Sequence, residues 1–172
     1  MRRLILTGLG CILLISSTSL AGDFKAGSEP DGFRGISWGA EITKLSGFKL
    51  IRREEQFGGL DIYFRKGDKL DAWGVPVGAI EYFFRKGKFF RGNILTAGIG
   101  DYRNLRKAVF TEFGVGELSP QVAPGVTQFT WEGKITSMVL QIEPASASGS
   151  LLISSRNMEE KMLSESLKKQ DD

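Results

Sequence analysis

Two stretches twenty residues apart repeat one design: Tyr63-Phe64-Arg65-Lys66-Gly67 and Phe83-Phe84-Arg85-Lys86-Gly87. Each carries an alternating apolar run into a turn with glycine at its third place, Arg65-Lys66-Gly67-Asp68 and Arg85-Lys86-Gly87-Lys88. Glycine there takes a positive φ at little steric cost, which closes a hairpin. Ile62 and Phe64 alternate with polar neighbours, and Ile80, Tyr82 and Phe84 oppose Glu81 and Arg85. That is the period of a strand with one buried face. Phe89 to Thr96 reads as the returning strand, so this half of the chain is a meander.

Helical signals bracket the meander. Phe33 to Leu45 predicts a short apolar stretch and then a one- or two-turn helix, with Trp38, Ile42 and Leu45 on one face. After Gly98-Ile99-Gly100, Asp101 is the expected N-cap. Tyr102, Leu105, Val109 and Phe113 then recur at helical spacing until Gly114 stops the run. Strands are expected around Phe129 and Trp131, through Met138, Leu140 and Ile142, and from Leu151 to Ile153. Asn157 and Glu160 have the spacing of a capping box, opening an amphipathic helix with Met158, Met162 and Leu167 inward. The reading is α+β: an antiparallel sheet of hairpins layered by two or three helices.

Composition narrows what such a domain does. The chain holds no histidine and one cysteine, Cys11. Arg2 and Arg3, the apolar run Leu4 to Ile15, and Ser19-Leu20-Ala21 have the order of a secretory signal peptide cleaved after Ala21. A lipoprotein reading at Cys11 ranks second, because Ile12 to Ile15 continue the apolar run behind it. The run is too short for a stable transmembrane anchor, which needs about 20 residues.

Without residues 1–21, the 172-residue chain keeps 151 residues and no cysteine. That length suits one domain held by its core. The expected division is a signal peptide over 1–21, a flexible lead-in over 22–32, one α+β domain over 33–155, and a helix and tail over 156–172. Ser-His-Asp and Cys-His mechanisms are closed to this chain, as are zinc sites on imidazole or thiolate. Of 23 basic and 20 acidic residues, the leader takes Arg2 and Arg3, which leaves the remainder near neutral. Affinity for an anionic polymer then requires a local patch.

The candidate patch is the pair of basic turns. Arg65, Lys66, Lys69, Arg85, Lys86, Lys88 and Arg91 face Asp68, Asp71 and Glu81 in sequence. The simple account is that hairpin tips need solvated residues. The functional one is electrostatic contact with an anionic lipid or glycan, or with an acidic envelope protein. Export sets nucleic acid aside. Trp38 and Trp131 each precede a turn and offer either a recognition surface or the edge of the core.

Ser46-x-x-Lys49 and Ser166-x-x-Lys169 match a serine–lysine motif by coincidence, since the accompanying elements are missing. Gly98-x-Gly100 lacks the third glycine of a dinucleotide fingerprint, and Asp61, Asp68 and Asp71 do not make a calcium loop. No cofactor, metal or catalytic residue is assigned.

Phe33-Arg-Gly-Ile-Ser-Trp-Gly39, Tyr63-Phe-Arg-Lys-Gly-Asp-Lys-Leu70, Ile80-Glu-Tyr-Phe-Phe-Arg-Lys-Gly-Lys-Phe89, Phe113-Gly114 and Trp131-Glu-Gly133 together resemble an uncharacterised family of small exported proteins of Gram-negative bacteria. The resemblance spans roughly residues 33–155 and implies an envelope location and an α+β domain, without site residues. The helix-then-hairpins order is also similar to β-lactamase-inhibitor-type domains, a likeness of fold and not of function. The expected role is an exported, non-enzymatic binding or accessory module. The alternatives are an inhibitor of an envelope hydrolase and a small carboxylate-dependent hydrolase.

Overall fold

The computed structural model describes residues 22–55, 59–120, 125–143 and 148–168. The leader over 1–21, Cys11 included, lies outside them, as does the side chain of Leu167. The fold is α+β: an eight-stranded antiparallel sheet with two helices packed on it. Strands β3 (Phe48–Glu54) and β4 (Leu60–Arg65) pair at one side. The chain then makes an excursion that holds the small hairpin β5 (Asp71–Ala72) and β6 (Val75–Pro76). It returns as β7 (Ala79–Arg85), beside β4, and β8 (Lys88–Leu95).

Helix α1 (Ile99–Phe113) follows. After it come β9 (Glu117–Leu118), β10 (Thr127–Glu132), β11 (Thr136–Glu143) and β12 (Ser148–Ser155). The spatial order β3-β4-β7-β8-β12-β11-β10-β9 puts the last strand in the middle, against β8. Helix α2 (Arg156–Lys168) continues directly from it. Among the described residues, no helix is long and apolar enough to cross a membrane.

The two sheet faces are separate apolar clusters. On one, the cross-strand row Leu140, Leu151, Ile94 and Ile80 lies beside the row Trp131, Met138, Ile153, Gly92 and Tyr82. The buried α1 residues Tyr102, Leu105, Val109 and Phe113 cover this face, as their spacing predicts. On the other, Met158 and Met162 of α2 cover Leu60, Ile62, Phe83 and Phe90.

Several local expectations are corrected. Gly98, not Asp101, is the N-cap of α1, and Asp101 sits in the first turn, where its charge favours the exposed N–H groups. The helix expected before Leu45 is only a 3₁₀ turn, Ile42–Lys44, because a hairpin of β1 (Gly32–Phe33) and β2 (Ile36–Ser37) takes up the preceding residues. Helix α2 starts at Arg156, so Asn157 lies inside it, and Glu160 pairs with Arg156 at 3.3 Å instead of closing a capping box.

The lead-in over 22–32 is tied down and not loose. Gly22 bridges β10 in parallel, Lys25 N–H donates to the Phe113 carbonyl, and Glu29 accepts from the N–H groups of Ile135 and Thr136 at 2.7 and 3.0 Å.

Candidate ligand-binding pocket

The register of β4 on β7 separates the two basic turns. Leu60 lies opposite Arg85 and Tyr63 opposite Tyr82. Arg65 therefore ends β4 about 17 Å from the end where Arg85 turns, at some 3.4 Å per residue. The cations of the two turns do not form one patch. Arg85 is buried and donates to Glu165 of α2 at 2.7 Å; Lys86 donates to the same carboxylate at 3.2 Å. Those cations, with the potential of Lys161, hold Glu165 below the usual carboxylate range despite some desolvation. Lys88 pairs through its backbone with Glu41. Arg65 lies over the Phe48 ring at 5.7 Å, and Lys66 N–H donates to the Gly47 carbonyl. These residues stitch the sheet to its surroundings.

The two tryptophans singled out from the sequence are scaffold. Trp131 is fully buried and its Nε1 donates to the Gly114 carbonyl at 3.1 Å. Trp38 stacks on Phe89 at 5.4 Å and donates to Thr136 Oγ1 at 2.9 Å. Trp131 has no exposed surface to present, and Trp38 is half-buried against the core.

Arg85, Lys86 and Lys88 line a small cavity of about 170 Å³ against α2, whereas Lys69 lines a larger one on the other face. A pocket of about 370 Å³ opens on the α1 side of the sheet, between hairpins β1–β2 and β5–β6. Its floor is Phe33, Ile94, Phe113 and Ile153, and Ala72 and Trp73 form a wall. The floor exists because Gly92 leaves a gap in its row. A Cβ there would lie 2.2 Å from the Phe33 ring, so only glycine lets that ring settle on the sheet.

Both hairpins are two-residue turns with positive φ at each central position: Arg34 (52°) with Gly35, and Trp73 (48°) with Gly74. That is the geometry of a type I′ turn, which favours Asn or Gly at its first place. A bulky side chain there costs about 1–2 kcal/mol. Trp73 holds this conformation while 40% exposed, with its ring edge-on to Phe113 at 5.3 Å. Arg34 and Lys86 take the same conformation at their own hairpins, so the backbone here belongs to the turn, and what sets Trp73 apart is its exposed ring on the pocket wall.

The rim has three charged side chains in different states. Arg34 is fully engaged: its Nη atoms donate to the carbonyls of Asp71 at 2.8 Å and Lys69 at 3.0 Å, and its Nε faces Asp68 at 3.8 Å. Asp68 also accepts the Tyr82 hydroxyl. Burial first, and that carboxylate second, push the Tyr82 hydroxyl far above the ordinary phenol range. Arg34 thus clamps one hairpin to the segment before the other. Lys69 and Asp71 also line the pocket, and their side chains make no ion pair among the described residues.

Beyond Trp73, a broader groove of about 520 Å³ runs along α1 past Asn104, Lys107 and Glu112. Its α1 wall is largely exposed polar side chains, so it desolvates a ligand less than the pocket does.

Trp73 and Arg34 were not singled out from the sequence, and Asp71 entered it only as a counter-charge to the basic turns and in a calcium loop that is not there. The available signal was Trp73-Gly74 between Asp71-Ala72 and Val75-Pro76, a two-residue turn flanked by short extended pairs. The chain matches no family model, no curated protein and no solved structure, so the reading of this pocket rests on the residues that line it.

Proposed function

We propose that this protein is an exported binding module of the cell envelope, holding a small ligand with an apolar body and a charged end in the pocket between β1–β2 and β5–β6. The observation that carries this reading is the combination of an apolar floor with a lining lysine, Lys69, that makes no ion pair among the described residues. A pocket with an apolar lining and a few placed polar groups is how small-molecule sites are built, and about 370 Å³ falls within their usual size. Arg34, clamped to two carbonyls, fixes one hairpin against the other before any ligand arrives, which lowers the ordering cost of binding. The leader pattern of residues 1–21 supports export.

The test uses 8-anilinonaphthalene-1-sulfonate, an apolar anion whose fluorescence reports a dry site. Saturable binding at one site is expected, weakened at least tenfold by Trp73→Asn and several-fold by Lys69→Met. Binding indifferent to Trp73→Asn would overturn the proposal.

A further inference from the structure

We infer that the pocket's natural ligand class is a free α-amino acid with a large apolar side chain, aromatic above all, bound as the zwitterion. This rests on the pocket being the ligand site, and it adds which charges the ligand carries. Three observations lead to it. First, besides the engaged Arg34, the pocket lining includes one cationic and one anionic residue outside any ion pair among the described residues. Lys69 and Asp71 both line the pocket, while Leu70 between them turns outward and is 53% exposed. Second, neither residue is engaged by another charge among the described residues. Arg34, the other cation at the rim, is occupied by two carbonyls and Asp68, and the ammonium of Lys69 and carboxylate of Asp71 make no ion pair among the described residues. Third, the surfaces below the rim are apolar and rich in rings: Phe33, Trp73 and Phe113.

A simple anion satisfies Lys69 and leaves Asp71 facing like charge, and a simple cation does the reverse. An α-amino acid carries both complements on one carbon and projects its side chain from the same carbon. Its carboxylate meets Lys69, its ammonium meets Asp71, and its side chain lies against the aromatic floor, where ring pairs prefer edge-to-face or offset contact. A peptide terminus supplies only one of the two charges on its terminal carbon, so the free amino acid is the better fit.

The chain also permits a clean test. Lys69 and Asp71 contribute only main-chain carbonyls to the Arg34 clamp, so replacing their side chains leaves the hairpins in place. The purified protein is titrated calorimetrically with L-phenylalanine, with 3-phenylpropanoate, which lacks the ammonium, and with 2-phenylethylamine, which lacks the carboxylate. L-phenylalanine should bind at least tenfold more tightly than either analogue. Lys69→Met should weaken L-phenylalanine and 3-phenylpropanoate and leave 2-phenylethylamine unchanged; Asp71→Asn should weaken L-phenylalanine and 2-phenylethylamine and leave 3-phenylpropanoate unchanged.

Equal affinity for L-phenylalanine and 3-phenylpropanoate would overturn the zwitterion and leave the pocket proposal intact. So would failure of all three to bind or to displace 8-anilinonaphthalene-1-sulfonate from a site that still requires Trp73. Loss of the Trp73 requirement itself would instead remove the pocket, and this inference with it.

Discussion

Gly92 and Phe33 set the depth of the pocket, and a single methyl group tests that. In Gly92→Ala the added Cβ would overlap the Phe33 ring, and overpacking of this kind costs about 1–3 kcal/mol. A lower urea midpoint is expected, together with weaker 8-anilinonaphthalene-1-sulfonate binding as the floor is displaced. Trp73→Asn separates stability from binding at the opposite wall. Asparagine relieves a left-handed strain of about 1 kcal/mol and forfeits a ring contact with Phe113 of about the same size. Stability should therefore stay within about 0.5 kcal/mol by denaturant titration, while ligand affinity falls. Little of this was legible in the sequence. Gly92 reads as one more glycine in a strand until the ring above it is known, and Trp73-Gly74 reads as a loop until both φ values are seen to be positive.

Among the elements, the N-terminal segment shows how one side chain holds a strap. Desolvation disfavours the charge of Glu29, but hydrogen bonds from Ile135, Thr136 and Lys134 N–H groups, with the Lys134 ammonium, outweigh it and lower the Glu29 pKa. A carboxyl whose pKa is depressed by folding stabilises the fold above its unfolded pKa, and that stability is lost as pH falls through the folded one. Glu29→Gln should cost about 1 kcal/mol at pH 7, an amount reduced by its solvent exposure. The gap to the parent protein should narrow below about pH 4; a gap constant from pH 7 to pH 3 in thermal unfolding would contradict this. On the other face, Met162→Ala removes half of what α2 places over Leu60, Ile62, Phe83 and Phe90. A loss of about 2 kcal/mol is expected, read as a lower thermal midpoint with the ligand pocket unaffected. Elements with a local cause were legible: the β7–β8 hairpin from Lys86-Gly87, and the buried stripe of α1 from its spacing. The short hairpin β1–β2 was not, because two-residue strands carry no periodicity.

At the scale of the whole molecule, the sheet has two ends to protect. Strand β3 pairs only with β4 among the described strands, and it is guarded by Lys49, Arg52 and Arg53 and by an irregularity between Leu50 and Arg52. Charges and bulges of this kind keep an edge from recruiting another chain. Replacing Lys49 and Arg53 together by Val should give concentration-dependent association in sedimentation velocity, where the parent protein stays monodisperse. At the other end, β10 is covered by the two residues of β9 and by Gly22.

Residues 33–155 determined by themselves that the fold is α+β, that its strands run antiparallel, where α1 and its buried face lie, and that no thiol or imidazole chemistry is open to them. These follow from spacing, turn residues and composition, which act over a few positions. Tertiary structure alone decided that the two basic turns part to opposite ends, that Trp131 is core with Trp38 packed against it, and that Lys69, Asp71 and Trp73 line one pocket with Phe33. The reason is that β4 pairs with β7 across the excursion that holds β5 and β6. Such pairings are chosen by which side chains lose water together, across distances in the chain that no local pattern records.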